Sequence, residues 1–226
     1  MSSQLALDQH RIHDALQHGH IAVIKRLIRH QRVDIRCIDP SNGWPLLFFA
    51  IHHHYNDLVR YLLDNHHDTP LHLTRDHQHA TALMMAVLSD NPSAFALYLS
   101  RFPESVDLRN KQGETALILA ARRGHDDYIE KLIDHGADIN ACDQDGCTAL
   151  HYAAAYGHVD TISVLVDHGC RFAVQNKRGW TALDWSYSTA VAQHLQDTAR
   201  IAYEGKKLLQ KRMSKRTRRQ LLSSEE

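Results

Sequence analysis

The chain has 226 residues, 43% of them hydrophobic, and its 26 basic residues equal its 26 acidic ones in number. This length and composition suit one or two globular domains with a buried core. No segment approaches the roughly 18 consecutive apolar residues of a membrane-spanning helix, and charge appears too early for a signal peptide. The four cysteines are scattered without a Cys-x-x-Cys pair, which favours reduced thiols over a disulfide framework. We therefore expect a soluble, intracellular protein.

The overall charge balance conceals an uneven distribution. Residues 205–226 carry eight Lys or Arg and two Glu, so residues 1–204 hold the other 18 basic and 24 acidic side chains. We expect 1–204 and 205–226 to behave as two electrostatically separate units, because opposite excess charge of this size gives each part different partners.

A repeat appears when residues 113–140, GETALILAARRGHDDYIEKLIDHGADIN, are aligned with residues 146–173, GCTALHYAAAYGHVDTISVLVDHGCRFA. The segments share Gly, Thr-Ala-Leu, Ala-Ala, Gly-His and His-Gly at a shift of 33 residues. An incomplete first copy keeps GHIAVIKRLIRH at residues 19–30. The Thr position recurs at Pro45, Thr81, Thr115, Thr148 and Thr181. We predict six repeats within residues 1–204, near 5–38, 39–75, 76–109, 110–142, 143–175 and 176–204.

Each copy contains two short segments with apolar residues on one face, at the three- to four-residue spacing of a helix. In the fourth copy these residues are Leu117, Ala120 and Ala121, then Ile129, Leu132 and Ile133. Gly124 and Gly157 stand where a first helix must end and reverse. A helix pair of this kind has an apolar side that only a neighbouring pair can cover, which predicts a stacked all-α solenoid.

These features resemble the ankyrin repeat family: the 33-residue period, the Gly-x-Thr-x-Leu start, the Ala-Ala pair, the Gly-His step and the HGADIN ending at residues 135–140. The resemblance covers almost nine tenths of the chain. It implies an all-α solenoid of about six repeats, each with a β-turn tip followed by two antiparallel helices.

One stretch tests where the third repeat begins. The family's familiar Thr-Pro-Leu-His letters occur once, from Thr69 to His72, whereas a plainer Thr-Ala-Leu begins at Thr81. A helix from Thr69 has no apolar residue at 76–79 to pack, whereas a helix from Thr81 is apolar throughout its first two turns. We predict a loop over residues 69–75 and a helix from Thr81. The junction between repeats two and three is then the most irregular one, suited to a partner-specific contact or a local weak point.

Nineteen histidines raise the question of a metal site. Seven occupy recurring repeat positions: His20, His30, His125, His135, His151, His158 and His168. Others cluster at residues 52–54, 66–67 and 77/79, where converging imidazoles would suit zinc or nickel. Adjacent helical residues point about 100° apart, so a run of histidines does not make a site. We predict structural or surface roles, with no metal and no cofactor.

Common catalytic motifs are absent, including G-x-S-x-G, H-E-x-x-H, G-x-x-x-x-G-K-[ST] and G-x-G-x-x-G. The repeats also leave no room for a conventional catalytic domain. We predict that the chain is not an enzyme and has no small-molecule substrate.

The resemblance implies a recognition surface instead, because ankyrin turn tips and the exposed ends of first helices form a concave face. The non-consensus residues at these positions are Asn42, Trp44, His52, His53, Gln78, Lys111, Gln112, Glu114, Arg122, Arg123, Gln144, Asp145, Tyr156, Lys177, Arg178 and Trp180. Aromatic side chains among arginines have the composition of interaction hot spots. Two alternatives stay open. Trp44 and Trp180 either contact a partner or pack on the adjacent turn, and Arg122-Arg123 either bind or form a solvated face.

The tail at 205–226 carries eight basic side chains: Lys206, Lys207, Lys211, Arg212, Lys215, Arg216, Arg218 and Arg219. Such a run attracts an anionic membrane surface at roughly 1 kcal/mol per residue, or serves nuclear import. A solvated disordered tail is the alternative, and a helix over 195–212 that extends the last repeat also fits. We do not expect nucleic acid as a partner.

Further details resemble the ankyrin-repeat accessory subunits of fungal TOR complex 2. They are RIHDALQHGHIAVIKRLIRH at 11–30, SNGWPLLFFAIHHHYNDLVRYLLDNHHD at 41–68, LYLSRFPESVDLRNKQGETAL at 97–117 and KRGWTALDWS at 177–186. The likeness implies a non-catalytic scaffold with TOR kinase complex subunits as partners, in the cytoplasm or at the plasma membrane periphery. The alternative is a free-standing adaptor, nuclear or cytosolic, in transcription or ubiquitin ligation.

Overall fold

The computed structural model describes residues 11–12, 14–16, 18–30, 43–70 and 72–222, with side chains described through residue 205 and at residue 207. Residues 11–12 and 14–16 are helical. Ten helices follow: α1 (Ile21–Arg29), α2 (Leu46–His52), α3 (Asn56–Asp64), α4 (Ala82–Leu88), α5 (Pro92–Arg101), α6 (Ala116–Arg123), α7 (Asp126–Asp134), α8 (Ala149–Tyr156), α9 (Val159–Asp167) and α10 (Thr189–Leu222). Within these residues the β contacts are isolated bridges, so the all-α prediction is confirmed.

The helices form consecutive pairs, α2/α3, α4/α5, α6/α7 and α8/α9, which stack in chain order. The first helices of neighbouring pairs contact one another, and α10 packs against α8 and α9 at the end of the stack. Their apolar faces merge into one core that runs through all the pairs. Stacking therefore buries the apolar surface that a single pair leaves exposed.

The first helices of repeats two to five begin where the sequence predicted. The hydroxyls of Thr81 and Thr115 accept the amide hydrogen of the third helical residue at 3.3 and 3.4 Å. Thr148 and His151 form a capping box, in which each side chain accepts a hydrogen bond from the backbone amide of the other residue. These bonds satisfy amide groups that lack a partner within the helix. The predicted helix from Thr81 is thus confirmed.

The predicted loop is also confirmed for residues 69–70 and 72–75, and Leu71 lies outside the described residues. Thr69 and His72 exchange two backbone hydrogen bonds of 3.2 and 2.9 Å and so close a tight turn. Pro70 lies inside this turn, where its fixed φ angle and missing amide hydrogen are suited to a turn and unsuited to a helix interior.

A buried polar cluster ties this loop to repeat three. Asp68 is 2% exposed, and its carboxylate accepts hydrogen bonds from the Tyr98 hydroxyl at 2.6 Å and the Thr74 hydroxyl at 2.5 Å. Nδ1 of the fully buried His67 lies 2.9 Å from the same carboxylate. Burial raises the pKa of Asp68, but the hydrogen bonds from His67, Thr74 and Tyr98 outweigh burial and hold the pKa below its usual range. We call these four residues the Asp68 cluster.

Repeat six departs from the expected helix pair. The amide of Thr181 donates to Asp184 at 2.7 Å, yet residues 182–185 form only one turn. The amide of Tyr187 then donates to the Ala154 carbonyl at 2.9 Å, which turns the chain back onto α8. The predicted first helix after Thr181 is therefore wrong, and the long α10 closes the stack.

Histidines occupy backbone positions where regular repeats have glycine. Gly124 and Gly157 end α6 and α8 with φ angles of 71° and 77°, and His54 holds the equivalent place after α2 at 58°. His79 has a φ angle of 58° at the tip position that Gly113 fills at 80°. Left-handed backbone costs other L-residues about 1–2 kcal/mol relative to their usual conformation, whereas glycine adopts it freely. His66 has a φ angle of 60° at the place after α3 that Gly136 fills after α7 at 87°. Three of the clustered histidines thus have a backbone role.

We expect His54→Gly and His79→Gly each to stabilise the fold by about 0.5–1 kcal/mol, because each relieves a left-handed residue. Urea denaturation followed by circular dichroism measures the gain. His168→Gly is the matched control, since His168 ends α9 at a φ angle of −80°. The control should lower stability, and a loss with all three variants would contradict the backbone explanation.

Candidate protein-interaction surface

The tip loops of repeats three to six share one hydrogen-bonding pattern. In each loop an Asp or Asn side chain accepts the amides two and four residues later, at 2.8 to 3.1 Å. These residues are Asp76, Asn110, Asp143 and Asn176. Side-chain bonds of this kind fix the geometry of a turn. This position is not among the predicted site residues, although an Asp or Asn that recurs with the repeat period is visible in the sequence.

Backbone hydrogen bonds join the tips into a continuous row. The amide-to-carbonyl pairs are Lys111 to Gln78, Gln144 to Gln112 and Lys177 to Asp145, at 2.8, 2.9 and 2.9 Å. The side-chain amide of Gln144 also donates to the Lys111 carbonyl at 2.7 Å. All six side chains are exposed, so the structure brings these predicted site residues together along one edge.

Side chains of the first helices that face the tip loops form a surface next to this row. The Tyr152 ring on α8 lies 5.9 Å from the Arg122 guanidinium carbon and 6.1 Å from the Trp185 ring. Its hydroxyl donates to Asp143 at 2.6 Å, so the ring faces the tips. Sequence analysis did not single out Tyr152 or Trp185. We call this surface of repeats four to six the inner face: Lys111, Gln112, Arg122, Arg123, Gln144, Asp145, Tyr152, Tyr156, Lys177, Arg178, Trp180 and Trp185.

Internal hydrogen bonds occupy two acidic groups close to the inner face. Glu114 is 6% exposed, and its carboxylate pairs with Arg122 at 2.5 Å and accepts from Asn110 at 2.7 Å. Asp143 accepts two backbone amides and the Tyr152 hydroxyl. Glu114 therefore lies beneath the surface, where it orients the half-buried Arg122. Arg123, next to it, is exposed.

The two tryptophans lie in different environments. Trp44 is half-buried against the core, and its ring meets His52 edge-on at 5.1 Å. Trp180 is 46% exposed, with the Arg178 guanidinium 5.8 Å from its ring centroid. The backbone of Trp180 is held firmly, since its amide donates to Asn176 at 3.1 Å. Trp180 thus presents an exposed aromatic ring from a hydrogen-bonded backbone, whereas Trp44 is mainly a packing residue.

We expect Trp180→Ala to weaken partner binding about tenfold, or about 1.4 kcal/mol, with little change in stability. Trp44→Ala should instead lower the free energy of unfolding by about 1–2 kcal/mol, because it removes an indole ring that is partly buried against the core. Thermal denaturation and partner capture, measured on the same two variants, separate the effects. Equal destabilisation by both variants would contradict the assignment.

The predicted site residues of repeat two form a smaller group. Asn42 lies outside the described residues. His52 is exposed, with its Nδ1 3.2 Å from the Ser89 hydroxyl. The exposed His53 packs on Phe49 at 4.2 Å between ring centroids, and partial burial, then the neighbouring His52 and His54, lowers the His53 pKa. In the repeat register the two histidines correspond to Arg122 and Arg123 of the inner face, two repeats away.

His151 links repeats five and six through both ring nitrogens. Nδ1 accepts the Thr148 amide at 3.1 Å, and Nε2 lies 3.1 Å from the Trp180 carbonyl, to which it donates. The side chain is buried, and burial lowers the His151 pKa despite the opposing hydrogen bond to Trp180. The neutral imidazole is therefore the form that holds Trp180 in place.

Because the folded pKa of His151 lies below its ordinary value near 6.5, the unfolded chain gains a proton first as pH falls. The stability that depends on His151 is complete above about pH 6.5 and declines as the pH drops toward the folded pKa. We expect His151→Ile, which copies Ile118 of repeat four, to remove this component. The free energies of unfolding of the wild type and the variant, measured at pH 7.5 and pH 5.5, test this prediction. The loss of stability between the two pH values should be smaller in the variant, and an equal loss would contradict the assignment.

The structure also bears on metal and membrane binding. Within the described residues, no three His, Cys, Asp or Glu side chains converge as metal ligands would. None of the described helices is both long and apolar enough to cross a membrane. The eight basic residues of the tail all belong to α10. Lys207 is exposed, and the side chains of the other seven lie outside the described part of the chain.

Comparison with known proteins identifies several relatives. The Target of rapamycin complex 2 subunit AVO2 of Saccharomyces cerevisiae is 27% identical over 129 residues, 57% of this chain and 30% of the yeast protein. The mouse B-cell lymphoma 3 protein homolog is 30% identical over 58% of this chain and 30% of its own. The NF-kappa-B inhibitor cactus of Drosophila yakuba is 42% identical over 24% of this chain and 11% of its own. The chain thus spans less than a third of each of these relatives.

The model for ankyrin repeats matches three overlapping stretches, residues 12–102, 83–176 and 136–204. These stretches include all the stacked helix pairs and the tip loops that form the inner face. Ankyrin repeats are protein–protein interaction modules, and this agrees with a surface of exposed aromatic and basic side chains on a rigid support. The chain belongs to the ankyrin repeat family.

Proposed function

We propose that this chain is a non-catalytic scaffold that serves as an accessory subunit of a TOR complex 2-type kinase assembly. The similarity to the yeast complex 2 subunit carries this proposal, since it extends over more than half of the chain. The inner face supports it as well. A row of hydrogen-bonded tips with an exposed Trp180 is suited to holding one subunit against another.

We further propose that the protein acts in the cytoplasm, at the periphery of the plasma membrane. The eight basic residues of the tail lie on one continuous helix, α10, and supply the charge for a weak contact with anionic lipid. Each such residue near the surface contributes about 1 kcal/mol before screening by salt. Deletion of 205–226 tests this role: the truncated protein should shift from the cell periphery to the cytosol, and an unchanged location would contradict it.

A free-standing adaptor is the second candidate function. The similarity to the mouse B-cell lymphoma 3 homolog, which covers a comparable share of this chain at slightly higher identity, favours it. In this case the protein would bind its partner in the nucleus or cytosol, and the basic tail would serve nuclear import.

Affinity purification of the tagged full chain from its native cells distinguishes the two functions. Recovery of a TOR kinase with its large scaffold subunits supports the first proposal. Recovery of transcription factors or ubiquitin-ligase components without the kinase would contradict it and support the adaptor. Trp180→Ala is the informative variant, since we expect it to leave the fold intact and to reduce recovery of the direct partner.

A further inference from the structure

The inner face carries a charge opposite to that of the rest of the repeat domain. Residues 1–204 hold 18 basic and 24 acidic side chains, an acidic excess. The exposed charged residues of the inner face are Lys111, Arg123, Lys177 and Arg178 against Asp145. Glu114 pairs with the half-buried Arg122, and with the buried Asp143 also counted the surface still holds five basic side chains against three acidic ones. A basic strip therefore crosses an otherwise acidic domain.

The strip has the length of a short extended peptide. Neighbouring helices pack about 8–10 Å apart, so the tips of repeats four and six are separated by about 16–20 Å. An extended chain advances about 3.3 Å per residue, so five or six residues span this distance. Exposed amide side chains at Gln112 and Gln144 lie along the same row and can bond a peptide backbone.

Aromatic side chains stand at the repeat-six end of the strip. Trp180 is 46% exposed beside Arg178, and Tyr156 is 56% exposed at the end of α8. Tyr187 is 76% exposed, and its backbone bond to Ala154 places it at the same end of α8. Exposed aromatic residues beside arginine are typical of binding hot spots, because they bury much area at little entropic cost.

We propose that the inner face of repeats four to six binds an extended acidic peptide segment of a protein partner. Carboxylates of the segment pair with Lys111, Arg123 and Lys177, and an apolar side chain packs against Trp180. Charge-assisted hydrogen bonds of this kind add specificity, and opposite potentials speed association. The inference rests on the proposed scaffold function and adds the chemistry of the segment that the scaffold recognises.

The position of Asp145 favours a peptide over a nucleic acid. Its carbonyl accepts the Lys177 amide, so Asp145 lies within the basic row between repeats four and six. A nucleic acid strand carries a phosphate at every nucleotide and would bring one against this carboxylate. A peptide can place a neutral residue or a hydrogen-bond donor next to Asp145, and its acidic residues can contact Lys111 and Lys177.

Selection from a phage library of random dodecapeptides, with the full chain as bait, tests the proposal. Enriched peptides should carry more Asp and Glu than Lys and Arg, together with an aromatic or aliphatic residue. Enrichment of neutral or basic peptides, or no enrichment, would overturn the proposal. The most enriched peptide is then labelled with fluorescein for anisotropy titrations.

The titrations compare two sets of charge reversals with the same change in net charge. Lys111→Glu with Arg123→Glu and Lys177→Glu should weaken peptide binding at least tenfold, whereas Arg29→Glu with Arg60→Glu and Lys131→Glu should change it less than twofold. The control residues are exposed and lie on α1, α3 and α7, away from the inner face. Lys177→Glu alone should weaken binding measurably, which keeps the test valid if the triple variant misfolds.

Equal loss with both sets, or tighter binding of a single-stranded RNA of equal length than of the peptide, would overturn the inference. Its failure is distinguishable from failure of the proposed function. If the kinase complex still copurifies with the triple inner-face variant, the scaffold function holds and the acidic-segment inference is wrong.

Discussion

We expect Asp68→Ala to lower the free energy of unfolding by about 3–5 kcal/mol, because it removes one partner from a buried charged cluster. The hydroxyls of Thr74 and Tyr98 donate to this carboxylate at 2.5 and 2.6 Å and would lose their acceptor. The cluster joins the loop after repeat two to α5 of repeat three, so the loss should appear at the junction first. Urea denaturation followed by circular dichroism measures the total loss of stability, and hydrogen exchange shows in which part of the chain it occurs.

A surface carboxylate supplies the control for this prediction. Asp64 pairs with Arg101 at 2.6 Å, but both side chains are substantially exposed. Asp64→Ala should therefore cost less than about 1 kcal/mol. Equal effects of the two substitutions would contradict the role assigned to the Asp68 cluster.

The cluster also predicts a pH dependence. The folded pKa of Asp68 lies below its unfolded value near 3.9, so the stabilisation is complete above about pH 4 and is lost as pH falls through the folded pKa. Asp68→Asn, which cannot ionise, should lack this component of acid unfolding. Identical acid-unfolding curves for Asp68→Asn and the wild type would show that the carboxylate is not the group that titrates.

We expect Gly113→Ala to cost about 2–3 kcal/mol, more than a left-handed alanine alone, for which about 1–2 kcal/mol is usual. Gly113 has a φ angle of +80°, and an added Cβ would lie 2.8 Å from the backbone nitrogen of Gln144 in the next tip. Backbone cannot move aside as a flexible side chain does, so the tip row must separate at this point. Thermal and urea denaturation of the variant measure the cost.

Gly179 provides a matched control in repeat six. Its φ angle is +77°, but an added Cβ would have no atom within 4 Å. Gly179→Ala should therefore show only the cost of left-handed alanine, about 1–2 kcal/mol. The difference between the two variants isolates the contact between tips, and equal costs would indicate that the tips do not support one another.

Much of the fold was predictable because one period governs many positions at once. The Thr-Ala-Leu spacing located the helix starts of repeats three to five, and the lack of an apolar residue at 76–79 excluded a helix from Thr69, as the structure confirms. The sequence could not show the Asp68 cluster, since His67, Thr74 and Tyr98 come together only through tertiary packing. Periodicity failed at Thr181, where a bond from Tyr187 to Ala154 overrides the helix signal.

The candidate site was predictable in outline only. Tip positions follow from the repeat, so Lys111, Gln144 and Lys177 were identified and lie side by side. Exposure does not follow from the repeat, and so Glu114 was predicted as a contact but is buried under Arg122. Tyr152 went unnoticed because its position in the neighbouring repeat is an ordinary Leu119. The different roles of Trp44 and Trp180 could be assigned only from the exposure of their side chains in the structure.

Crosslinking mass spectrometry of the complex purified from native cells tests the central claim, that a protein partner lies on the inner face of repeats four to six. Lysine-reactive crosslinkers report on Lys111 and Lys177 on this face and on Lys131 on α7 outside it, and all three are exposed. We expect Lys111 and Lys177 to crosslink to one segment of the same partner, and Lys131 to give few or no such links. Crosslinks to the partner from Lys131 alone would place the partner elsewhere and contradict the account.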